Sequence, residues 1–226
     1  MAGHDGAVMT PGAWAAMGLA AVYAVGDWVA VARRRKPFEY AYKPATLVLL
    51  IIAALALEPA VDAQRAWFVL ALALSLAGDV FLMLPERKVG PVDTFTLGLA
   101  SFLFGHLAFI AGFFAYETGS PWVFVALGLS LPILGLVGVR VARAAADTDA
   151  ALGVAVTVYM VVLVAMLDIA WWTGVPAAMA GSALFVSSDA MIGWSRCVRE
   201  RRGHRLGIIV TYHLAQGLLT YSLIGA

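Results

Sequence analysis

The chain has 226 residues, 62% of them hydrophobic and 13% charged, with a formal net charge of +1 at pH 7. A soluble domain of this length needs a polar surface that such a composition cannot supply, so the expected class is all-α: one polytopic membrane bundle over residues 1–226. The basic residues flank apolar runs, where membrane orientation explains them, so no nucleic-acid partner is expected; the lone Cys197 rules out an intramolecular disulfide and a cysteine-rich metal site.

In chain order, apolar windows and their breaks predict eight membrane spans, near residues 13–32, 44–57, 67–84, 95–116, 121–139, 152–172, 176–194 and 206–225. Met1 to Thr10 has no basic region ahead of the first apolar run, so no cleaved signal peptide is expected. Pro11, Pro44, Pro121 and Pro176 fall at or before span starts, where a helix tolerates the missing N–H, and Pro132 predicts a kink inside the fifth span. The first loop holds Arg33, Arg34, Arg35, Lys36 and Lys43; the third, Arg87 and Lys88; the fifth, Arg140 and Arg143; the seventh, Arg196, Arg199, Arg201, Arg202 and Arg205. Of the 15 basic residues only Arg65 lies on the other side, which predicts cytoplasmic odd loops and both termini outside.

The informative stretch is Leu76-Ala77-Gly78-Asp79-Val80-Phe81-Leu82-Met83-Leu84, which carries a carboxylate inside an apolar span. An ionisable group there is expensive and marks a functional site by default. A similar arrangement recurs in Phe185-Val186-Ser187-Ser188-Asp189-Ala190-Met191-Ile192. A rise of 1.5 Å per residue puts both acids roughly 10 Å inside the cytoplasmic boundary, with His106, Tyr212 and Gln216 between that depth and the midplane. Lys43 and Asp27 sit near the same ends of their helices, whereas Asp168 stands in the sparse outer half beside Trp171 and Trp172. Tyr212 and Gln216 share a helix face at i and i+4, and His213 points about 100° away. Each residue also has a structural reading: helix-to-helix hydrogen bonding for His106 and Gln216, snorkelling for Lys43, helix-end solvation for Asp27. The spacings Asp79 to Asp189 and His106 to His213 hint at two parallel four-helix repeats.

No G-x-S-x-G elbow, H-E-x-x-H pair or P-loop is present. A zinc site would require His106, His213, Asp79 and Asp189 to converge, which their spacing does not demand; no cofactor is expected.

Four patches resemble the YhhN family of eight-span membrane proteins, whose characterised members are lysoplasmalogenases. These are Tyr42-Lys43-Pro44, Gly78 to Leu84, Phe104-Gly105-His106-Leu107-Ala108-Phe109, and Ser188-Asp189 followed by Thr211-Tyr212-His213-Leu214-Ala215-Gln216. His213 stands where that family often carries another aromatic. The resemblance implies hydrolysis of the vinyl ether of an alkenyl lysophospholipid to a fatty aldehyde and a glycerophospho-alcohol. Such chemistry suits two buried acids: one protonates the β-carbon, the other stabilises the oxocarbenium ion and activates water. On that reading Asp79 and Asp189 are catalytic, His106, Tyr212 and Gln216 position water or glycerol oxygens, and Lys43 meets the phosphate. The expected partners are a lysophospholipid substrate and membrane lipid, in a bacterial plasma membrane with the site in the cytoplasmic half. Alternatives are a lipid or small-solute transporter or scramblase using the same polar cavity, and a zinc-dependent lipid amidase or esterase.

Overall fold

The computed structural model describes residues 7–89, 92–116 and 119–225, so part of the Met1 to Thr10 reading lies outside the described residues. Among them the chain forms eight helices: α1 (Pro11–Ala32), α2 (Lys36–Ala56), α3 (Asp62–Met83), α4 (Thr94–Phe113), α5 (Trp122–Ala146), α6 (Ala150–Trp172), α7 (Pro176–Gly193) and α8 (His204–Ser222). The first six are long and apolar enough to cross a membrane. Helices α7 and α8 carry Ser182, Ser188 and Asp189, and Tyr212, His213 and Gln216, which lowers their hydropathy and turns these groups into the bundle.

Burial is arranged for lipid. Large apolar side chains such as Phe124 (74% exposed), Leu131 and Val22 face outward, while Asp27, Asp79, His106, Asp189, His213 and Gln216 are buried among helices. Lipid solvates the outer surface without cost, so polar groups stay where other helices can meet their hydrogen-bonding needs. Consecutive helices pack as hairpins, α1 with α2, α3 with α4 and α7 with α8; α4 leans on α6, and α8 closes the bundle against α1 and α2.

Several prolines behave as their chemistry demands. Pro11 opens α1 behind the Thr10 cap, whose hydroxyl accepts from the Ala13 N–H at 3.1 Å, and Pro176 opens α7. Pro132 leads into a π-helical turn, Ile133–Gly138, and α5 then runs to Ala146, past the expected end at 139. Pro44 departs from expectation. Helix α2 begins eight residues earlier, at Lys36, so Pro44 lies inside it and offers no N–H to the Tyr40 carbonyl; one turn on from Tyr42, the Thr46 hydroxyl donates to the Tyr42 carbonyl at 2.9 Å. Lys43 consequently sits two turns into α2 instead of at its entrance. Between α3 and α4, strand β1 (Lys88–Val89) pairs antiparallel with β2 (Val92–Asp93) in a short hairpin absent from the sequence reading.

Helix α4 meets α3 through Gly98, Gly105 and Gly112, one per heptad, and Gly105 lies so close that a Cβ there would stand 3.3 Å from the Ala71 carbonyl oxygen. On the α3 side Gly78 is covered by Phe102, whose ring carbons would stand 2.6 Å from an added Cβ. Gly78→Ala is therefore expected to lower stability by about 1–3 kcal/mol, read as a lower Tm in detergent, because Phe102 is wedged against Tyr212 and has little room to retreat. An unchanged Tm would show that the ring is loosely held.

Candidate active site

The two acidic residues stand in two adjacent clusters that differ in charge. In the first, Lys43 from α2 places Nζ 2.8 Å from Asp79 Oδ1, and the Tyr212 hydroxyl from α8 donates to Asp79 Oδ2 at 2.8 Å. The same ammonium lies 5.4 Å from the Tyr212 ring centroid. Asp79 is wholly buried, so this cation and hydroxyl compensate a carboxylate that burial alone would expel. Lys43, expected to reach a lipid phosphate, has Asp79 as its first partner.

In the second cluster the Tyr159 hydroxyl from α6 donates to Asp189 Oδ2 on α7. His106 Nε2 stands 3.5 Å from the same oxygen without bonding to it, and its Nδ1 contacts the Phe102 carbonyl at 2.6 Å, which puts the proton on Nδ1 and leaves Nε2 with a lone pair. Asp189 therefore has neutral neighbours where Asp79 has a cation.

Aromatic rings separate and join the clusters. Tyr212 packs edge-on to Phe102 and Phe185, and His106 packs edge-on to Phe185 and Tyr159, with centroids 4.7 to 6.0 Å apart. Each acid thus takes one partner from the preceding helix, Lys43 or Tyr159, and one from the opposite hairpin, Tyr212 or His106. Tyr212, not His213 of the repeat reading, stands opposite His106 in this exchange. Gln216, fully buried one turn beyond Tyr212, has no hydrogen-bond partner among the described residues on either amide atom, so it can serve a bound polar molecule.

An apolar cleft leads to this region. Phe102, Tyr159 and Asp189 stand at its inner part, Leu82 and Met160 along its walls, and Arg196 at its rim. Tyr159 was missed in the sequence reading; its signal was a hydroxyl in an otherwise apolar span, which must find a partner when buried.

Other expectations fall elsewhere. Asp27 is not solvated at its helix end: it is fully buried, 3.9 Å from His213 Nε2, and among the described residues neither oxygen has a hydrogen-bond partner. His213 therefore joins Asp27, not the two clusters above. The four donors of the zinc reading are divided between three places, and among the described residues no group of three His, Cys, Asp or Glu is disposed to hold a metal ion. Asp168 accepts from the Ser130 hydroxyl at 3.3 Å, away from both clusters.

The sequence profile of the YhhN family matches residues 38–223, which includes every residue of both clusters. The chain belongs to the YhhN family. The chain is similar to proteins named lysoplasmalogenase from Mycobacterium bovis and Mycobacterium tuberculosis, each 29% identical over 92% of this chain and 82% of the relative. No solved structure matches. The YhhN match begins at Phe38, so the whole of α1, with Asp27, lies outside the family segment, whereas both acidic clusters lie within it.

Proposed function

We propose that this YhhN protein is an integral membrane hydrolase that cleaves the vinyl ether of alkenyl lysophospholipids, releasing a fatty aldehyde and a glycerophospho-alcohol. The observation that carries the mechanism is the unequal charge around the two acids, Lys43 on Asp79 against Tyr159 and neutral His106 on Asp189. The names of the mycobacterial relatives support the substrate class.

Asp189 is the general acid. Its Oδ2 is engaged by Tyr159, leaving Oδ1 to carry the proton that passes to the β-carbon of the vinyl ether. Protonation breaks the C=C π bond and leaves an oxocarbenium ion on the ether carbon. Asp79, kept ionised by Lys43, stabilises that cation electrostatically, as the second carboxylate of a glycosidase does. Water held by His106 Nε2 and Gln216 adds to the carbon, its proton returns to the carboxylate pair, and the hemiacetal collapses to aldehyde and alcohol. Every proton taken from the acid is restored.

The loop charges support a site in the cytoplasmic half with both termini outside, in a membrane that we take to be a bacterial plasma membrane. The deciding assay is aldehyde release by purified protein from an alkenyl lysophospholipid, beside its acyl analogue and a chelator-treated sample. Aldehyde from the alkenyl lipid alone, insensitive to chelator, is the expected result. Absence of release from folded protein would sink the hydrolase reading, and movement of lipid without cleavage would put a scramblase in its place.

A further inference from the structure

Arg196 was read in the sequence as an orientation signal, yet it occupies the rim of the apolar cleft whose inner part holds Asp189. It belongs to a second π-helical turn, Trp194–Val198, which continues α7, and such turns recur at functional sites. The neighbouring Ser195 hydroxyl and His204 Nδ1, 2.6 Å apart, tie this turn to the start of α8. The Arg196 guanidinium lies 4.6 Å from the Phe95 ring centroid on α4, and its Nη2 is 2.8 Å from both carboxylate oxygens of Glu86. Asp93 is the second acid within its field; the Thr96 backbone N–H first, and the Arg196 charge with it, hold that carboxyl below the usual range.

The partner is exchangeable. Both Arg196 and Glu86 are about half exposed, and an ion pair in that setting contributes little, so a phosphate can replace Glu86 at small cost. Guanidinium suits phosphate because its fork of N–H donors matches two phosphate oxygens. Lys43, the other cation near the acids, is already engaged by Asp79.

Length decides the matter. Seven residues of helix separate Asp189 from Arg196, a rise of about 10 Å. In an alkenyl lysophospholipid the phosphorus and the β-carbon of the vinyl ether are seven bonds apart, roughly 8–9 Å when extended at ordinary bond lengths. We infer that Arg196 is the phosphate-binding residue of this cleft, and that Glu86 holds its place until a lysophospholipid phosphate arrives. A phosphate on Arg196 puts the vinyl ether beside Asp189, the two residues lining the same cleft.

This inference rests on the hydrolase reading, and its test separates the two. Aldehyde release is measured for alkenyl lysophosphatidylcholine and for alkenylglycerol, which lacks the phosphate, in wild type, Arg196→Ala, Arg196→Lys and Glu86→Gln. Arg196→Ala is expected to shift the ratio of the two KM values against the phospholipid by about 10- to 100-fold, the worth of a lost charged hydrogen bond. Arg196→Lys should recover part of that shift, and Glu86→Gln should lower KM for the phospholipid. Equal changes on both substrates, or none on either, would overturn the assignment, since a structural role for Arg196 cannot distinguish them. Thermal stabilisation by acyl lysophosphatidylcholine against monoacylglycerol tests the same site without turnover. Should wild type release no aldehyde, selective stabilisation lost in Arg196→Ala supports the phosphate site alone, and its absence removes the site.

Discussion

Asp189→Asn is expected to lower kcat for alkenyl lysophospholipid by about 10² to 10⁴-fold, the range that a positioned general acid supplies. The carboxamide keeps the volume of the acid and still accepts from the Tyr159 hydroxyl, so the hydrogen bond between α6 and α7 survives. What it cannot do is carry a transferable proton to carbon. Binding should therefore persist, measured as stabilisation by the acyl lysolipid, while aldehyde release fails. Activity within about tenfold of wild type would mean that Asp189 is not the acid. Tyr159→Phe is the milder companion: the carboxyl loses its donor, and kcat is expected to fall by about tenfold, in line with one lost hydrogen bond.

Lys43→Met is expected to be the most destabilising single change in the site. Removing one member of a buried pair leaves the other charge uncompensated, at a typical cost of about 3–5 kcal/mol. Asp79 is wholly buried and would keep only the Tyr212 hydroxyl. Adding Asp79→Asn removes the orphaned charge, so the double variant Lys43→Met/Asp79→Asn should regain much of the lost stability, and unfolding of the two single variants and the double one measures the coupling. Aldehyde release separates structure from chemistry: the double variant should be folded and inactive. Full activity in a restabilised double variant would confine the pair to holding α2, α3 and α8 together.

The two variants probe different halves of one asymmetry. Swapping the environments would abolish the division of labour, because a lysine beside Asp189 would oppose proton retention there. The same logic makes neutral His106 informative: its Nε2 faces Asp189 without bonding to it and can hold a water, whereas an imidazolium would draw Asp189 into an ion pair.

Much of this was legible before any coordinates. Runs of hydropathy predict eight spans, and the structure has eight helices among the described residues, six of them long and apolar enough to cross a membrane, because a bilayer core rewards little else. Asp79, Asp189, His106, Tyr212 and Gln216 could be singled out because a polar group is costly at such depth, and depth along a helix is countable. The heptad of Gly98, Gly105 and Gly112 was also in the sequence, though its meaning depended on Gly78 and Phe68 across the interface. The start of α2 was misread because Pro44 marks a helix entrance only when nothing upstream can extend it, and Lys36 to Tyr42 could.

Lateral pairing was not legible. Hydropathy is blind to which helix faces which, so Lys43 could look like a snorkelling cation and Tyr159 like one more aromatic. Only the packing of α3 against α8 and α2, and of α7 against α6 and α4, gave Asp79 a lysine and Asp189 a tyrosine with a neutral histidine. The sequence by itself determined that two acids are buried in a membrane bundle, because each residue carries its own transfer cost. The tertiary structure alone decided how they differ, because charge compensation is a property of neighbours brought from distant helices.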